Sequence, residues 1–72
     1  MCMPLHLANE GKSLEVINVD GVSPVRIRLT ELGFIPGTRI CVLSKNQECI
    51  LVKIKDSRIM LNHLMACRVN VQ

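Results

Sequence analysis

The clearest alternation of apolar and polar positions runs through residues 49–55, with Ile50, Val52 and Ile54 on one face and Lys53 and Lys55 on the other. That period of two predicts a half-buried strand with its aliphatic row turned inward. Residues 38–43 repeat the period, setting Ile40 and Val42 against Arg39, Cys41 and Leu43. The polar stretch 44–48 between them, with Asn46 as its turn residue, makes the pair a hairpin. Residues 13–19 read as another strand with mixed faces, Leu14, Val16 and partly Asn18 against Glu15, Ile17 and Val19. Mixed faces fit a curved barrel strand better than a flat two-layer sheet. Asp56-Ser57-Arg58 is expected to turn the chain into a short strand at 59–61, and residues 67–71 close it with Cys67, Val69 and Val71 on one face.

The helical signal lies at residues 23–33. Ser23 is placed to cap the first free amides, and Pro24 suits the first helical position. Val25, Leu29 and Leu32 fall at i, i+4 and i+7 and form an apolar stripe opposite Arg26, Thr30 and Gly33. Gly33 is the expected left-handed C-cap, with Phe34 packing back on the last turn. Pro36-Gly37 predicts a type II turn. Residues 5–8 read as a brief turn or short helix, residues 9–12 as a loop, and Asn62 as the cap of one helical turn over 63–66. The expectation is a mainly β fold: a small, partly open barrel of about five strands, one short amphipathic helix and a terminal helical turn.

Seventy-two residues suffice for one small domain, 1–72, and not for two. Nine Leu, eight Val, seven Ile and four Met stand beside a single Phe and no Trp or Tyr. That content can supply a core, and charges interrupt every apolar segment well short of the roughly 18 residues a bilayer span needs. The first seven residues lack the basic-then-hydrophobic layout of a signal peptide. An intracellular protein without membrane insertion is expected.

The candidate chemistry is sparse. The carboxylates Glu10, Glu15, Asp20, Glu31, Glu48 and Asp56 form no paired acid–base signature, neither His6 nor His63 belongs to an HExxH motif, and the four glycines are scattered. No catalytic residue is assigned and no enzyme is expected. Cys2, Cys41, Cys49 and Cys67 are spaced by 39, 8 and 18 positions, without a CxxC pair. They read as free thiols in strands rather than a disulfide framework. Cys41, Cys49, His63 and Cys67 are nevertheless the candidates for a transition metal ion: a short helix would bring His63 towards Cys67, and the hairpin register decides whether Cys41 and Cys49 are neighbours. Lys45, Lys53, Lys55 and Arg58 gather around the hairpin, with Arg26 and Arg28 on the helix. Single-strand binders pair such charges with stacking aromatics, and Phe34 is the sole aromatic, so no nucleic-acid partner is expected. Ile17, Leu43, Leu51 and Met60 are left facing outward, a candidate surface for a protein partner or a homo-oligomer.

The segment Leu29-Thr30-Glu31-Leu32-Gly33-Phe34-Ile35-Pro36-Gly37-Thr38-Arg39-Ile40 resembles the LxELGhxPGxxI signature of the FeoA family, where h is apolar. The likeness extends over Val16-Ile17, Leu51-Val52-Lys53-Ile54 and Ile59-Met60-Leu61-Asn62 to Val69-Asn70-Val71. The signature falls on Leu29, Leu32, Gly33, Pro36, Gly37 and Ile40, whose roles are helix packing, helix termination and turn formation. The chain departs from the family at Leu14, at Asp56 and in the 44–48 connection, where relatives often carry Gly or Pro. Loop shape and partner surface are therefore expected to differ.

The resemblance implies an SH3-like barrel in the bacterial cytoplasm, peripheral at the inner membrane only through its partner. That partner would be a FeoB-type ferrous iron permease, supported by an accessory or regulatory protein with no established cofactor. The same module also ends iron-dependent repressors, but no DNA-binding helices precede it here. The alternatives are a transition-metal-binding sensor and a repressor-associated module.

Overall fold

A computed structural model describes residues 2–21 and 24–72. Among these residues the chain forms six strands: β1 (Met3–Pro4), β2 (Ser13–Val19), β3 (Arg39–Lys45), β4 (Cys49–Ile54), β5 (Ser57–Asn62) and β6 (Val69–Val71). A 3-10 turn at Leu5–Leu7 and two helices, α1 (Val25–Glu31) and α2 (His63–Ala66), complete it. The order across the sheet is β1-β6-β2-β3-β4-β5, with every pair antiparallel. The outer strands β1 and β5 are not paired with each other, so the sheet curls without closing. The mainly β, SH3-like, partly open fold expected from the pattern is the one observed.

β2 divides its pairing between two neighbours. Its first residues, Ser13 to Glu15, pair with β3, whereas Val16 to Val19 pair with β6 across a register shift between Val16 and Asn18. Such a bulge bends the strand and sharpens its twist. It lets one seven-residue strand serve both halves of the sheet and accounts for its mixed faces.

Inside the curl lies one core, including Leu14, Val16, Ile40, Val42, Ile50, Val52, Ile54, Leu61, Val69 and Val71 from the strands. The alternation in β4 is realised as read, with Ile50, Val52 and Ile54 all buried. Leu29 and Phe34 bring the helical segment into the same core, and Val25 and Leu32 pack against it. Each such side chain removed from water is worth about 1.5–3 kcal/mol.

The Ser23 cap expected for α1 lies outside the described residues. Pro24 carries helical angles, φ −91° and ψ −11°, and its carbonyl accepts from the Arg28 amide at 2.9 Å. At the far end Gly33 has φ +108°. The Phe34 amide donates to the Leu29 carbonyl and the Gly33 amide to that of Thr30, both at 3.0 Å, which is a Schellman closure. Gly37 at φ +92° and the Thr38 amide donating to Ile35 at 3.1 Å make the expected turn.

Several boundaries differ from the sequence reading. The strand count is six rather than five, because Met3–Pro4 adds an edge strand beside Asn70 and Val71. Two residues carry no readable period, and Pro4, which cannot donate, is tolerated at an edge. The turn placed at Asp56-Ser57-Arg58 falls instead at Lys55-Asp56, since Ser57 already pairs with Ile54 and Arg58 with Lys53. A two-residue connection needs unusual backbone angles, and Lys55 supplies them at φ +54°. Cys67 ends α2 rather than opening β6.

Candidate functional site

The outward side of β3, β4 and β5 collects three of the four candidate partner residues, Leu43, Leu51 and Met60. Cys41, Lys53 and Arg58 lie opposite one another across the three strands. The next outward row contains Leu51 and Met60, paired directly, with Ser44 opposite Leu51. A register shift between Val42 and Ser44 leaves Leu43 as an extra residue there. The shift breaks strict alternation, so that Leu43 and Ser44 are both exposed while Val42 stays buried. Leu43, Leu51 and Met60 thus form an apolar strip, with Met60 59% exposed, Leu43 37% and Leu51 half-buried.

Lys53 and Arg58 border this strip, and Arg39 and Lys55 extend the cationic end; all four are exposed. Glu15 opposite Arg39 and Asp56 beside Lys55 offset part of that charge. Apolar contact area beside the remaining Lys53 and Arg58 can bind a protein surface that is itself apolar with carboxylates at its rim.

Ile17 does not join the strip. It is half-buried on β2 and lies past the end of the β2–β3 ladder, which runs only from Ser13–Cys41 to Glu15–Arg39, on the side away from Leu43. Leu7 (59% exposed), on the 3-10 turn, is another exposed apolar residue outside the candidate set, and so is Leu64 (79%), on α2. Its signal was present. The Asn62 side chain accepts from the Met65 amide at 2.9 Å and sets the phase of α2. With Ala66 buried and Met65 packed on the core, a single turn must leave Leu64 outside.

The metal candidates are dispersed. Cys41 pairs with Lys53 rather than with any cysteine, and Cys49 pairs with Asn62. The Cys67 thiol donates to the Leu64 carbonyl at 3.2 Å, and His63 Nε2 lies 3.2 Å from the Asn46 carbonyl oxygen. All four cysteines are free thiols. Among the described residues, no group of three or more His, Cys, Asp or Glu side chains is assembled for a metal ion. Asn46 has the expected turn role: its side-chain oxygen accepts from the Glu48 and Cys49 amides, each at 2.8 Å.

The signature residues are structural in this arrangement. Leu29 and Ile40 are buried, Leu32 packs on the core, Gly33 closes α1, and Pro36 and Gly37 turn the chain into β3. The FeoA-domain family profile matches residues 3–72. The chain belongs to the FeoA family.

Solved structures agree with that assignment. An iron uptake regulatory protein (FeoA) superposes with a TM-score of 0.92 at 29% identity, over 100% of this chain and 97% of its own. The FeoA of Stenotrophomonas maltophilia, described as a prokaryotic SH3 domain protein complexed with zinc, gives 0.87 at 29% identity, over 97% of this chain and 89% of its own. A manganese-dependent transcriptional repressor shares the fold, with a TM-score of 0.88 at 19% identity, covering 97% of this chain and 40% of the repressor. No curated protein sequence matches the chain. FeoA membership supports a non-enzymatic accessory role in iron transport. Among the described residues no helix is long and apolar enough to cross a membrane.

Proposed function

We propose that this FeoA-family chain works in the cytoplasm, docking on the cytoplasmic part of a FeoB-type ferrous iron permease and supporting iron import. The observation that carries the docking reading is the apolar strip Leu43–Leu51–Met60 with its border of Lys53 and Arg58. Met60 is well exposed and Leu43 partly so, although the opposite face of the same strands buries Ile40, Val42, Ile50, Val52, Ile54 and Leu61. The contact is electrostatically steered, so the on-rate falls as salt rises.

The deciding measurement is association between the purified chain and the soluble cytoplasmic region of the permease, with and without guanine nucleotide. Binding in at least one nucleotide state is expected, with Met60→Asp and Leu43→Asp each weakening it by roughly tenfold or more, the scale of an interface hot spot. Absence of binding in both states, together with normal ferrous uptake after gene deletion, would overturn the reading.

A further inference from the structure

We propose that the partner contributes an extended segment that adds to the free edge of β5 as a further strand, with an apolar side chain beside Met60 and a carboxylate beside Arg58. The proposal rests on the docking reading and gives it a contact geometry. β5 ends the sheet on one side and β1 on the other. β1 is two residues long, and its Pro4 has no amide to donate. β5 has six residues, Ser57–Asn62.

The register fixes which backbone groups of β5 are free. The His63 amide donates to the Glu48 carbonyl at 3.1 Å, one step beyond the Cys49–Asn62 pair. Hydrogen-bonded and non-bonded pairs alternate along an antiparallel ladder. Leu61, Ile59 and Ser57 therefore bond to β4, while Arg58 and Met60 turn amide and carbonyl away from it. Among the described residues no backbone hydrogen bond from another element reaches either one. Both residues are exposed. Such a row of unpaired donors and acceptors is a template for another strand.

The side chains define what that strand must carry. Arg58 lies directly opposite Lys53 in a non-bonded pair, where cross-strand side chains come closest. Like charges so placed repel. A carboxylate on the added strand, beside Arg58, relieves that repulsion. Two residues along, Met60 is 59% exposed and pairs with Leu51. Side chains two apart on a strand share a face, so the segment needs its apolar residue and its carboxylate at i and i+2. A second copy of this chain fits less well. Pairing β5 with itself would join two chains of net charge +3 and bring no carboxylate into the row.

The test uses an end-blocked synthetic peptide of alternating threonine and valine, with one central valine replaced by glutamate, and a twin with lysine there. In an NMR titration of the 15N-labelled chain, the glutamate peptide should shift the Arg58 and Met60 amides and slow their exchange. The lysine twin should bind at least about tenfold more weakly, because it sets a like charge beside Arg58. A chemically synthesised chain with an N-methyl group on the Met60 amide keeps every side chain and every β4–β5 bond. It should also bind at least about tenfold more weakly, the scale of one blocked backbone hydrogen bond. Should it fail to fold, amide exchange in the unmodified chain decides. No binding of the glutamate peptide, an equal lysine twin, or undiminished binding by the folded N-methyl chain would overturn the proposal. Both chains are then compared on the permease's soluble cytoplasmic region. Equal binding there would leave docking standing and overturn strand addition. A bound glutamate peptide without permease binding would remove the permease as partner and support the edge as a strand-binding site.

Discussion

Gly33 and Lys55 both hold positive φ, at +108° and +54°, yet only one is a glycine. Gly33 has a second constraint, because a Cβ there would lie 3.1 Å from Ile54 Cδ1. Gly33→Ala should therefore lose about 1–3 kcal/mol of stability, from backbone strain plus displacement of a buried side chain. Urea unfolding would measure it, and an unchanged midpoint would contradict the closure of α1 described above. Lys55 is the reverse case. A left-handed lysine costs about 1–2 kcal/mol, partly offset because glycine has more freedom to lose on folding. Lys55→Gly should raise stability by up to about 1 kcal/mol, visible as a higher Tm, and the registers of β4 and β5 should stay as they are.

The elements are individually too short to persist alone. α1 has seven residues and α2 four, well below the roughly 12–15 needed for an isolated helix. Packing and end closure hold them. At α2 the closure is specific, since Asn62 accepts from the Met65 amide. Asn62→Ala should cost about 1 kcal/mol and should loosen the turn that carries His63 and Leu64. Thermal melting would report the first effect and amide exchange at Met65 the second. The bulges act at the same scale. One divides β2 between two partners, and the other turns Leu43 and Ser44 outward together.

Taken whole, the molecule separates its aliphatic residues into a sealed interior and an exposed remainder. Phe34, the only aromatic, is fully buried with Leu29, Ile50 and Val52 in one core. Phe34→Ala should cost about 3–5 kcal/mol, a large share of what a domain of this size has. Met60→Asp should leave stability within about 0.5 kcal/mol, as for other surface changes. Leu51, half-buried between them, should fall in between when changed to Asp. Chemical denaturation of the three variants tests this order. A Met60→Asp loss as large as that of Phe34→Ala would place the strip in the core and remove it as a docking face.

Local pattern was enough for much of this. The period of two in 49–55, the i, i+4, i+7 stripe of α1, the Gly33 closure, the Pro36-Gly37 turn and the Asn62 cap all depend on neighbouring residues, and each is legible in the order of side chains. The signature spanning Leu29 to Ile40 also carried the family, because its residues are the ones that terminate a helix and turn the chain. What the sequence could not disclose depends on register and distance. The edge strand Met3–Pro4 exists only because β6 offers it a partner. The strip joins Leu43, Leu51 and Met60 but excludes Ile17 because a bulge and a short ladder decide which side chains become neighbours. The free edge of β5 has no signature of its own either, since which backbone groups face outward follows from its pairing with β4. Hydrogen bonding between adjacent residues is written into the chain; proximity between distant ones is settled only when the sheet curls over its core.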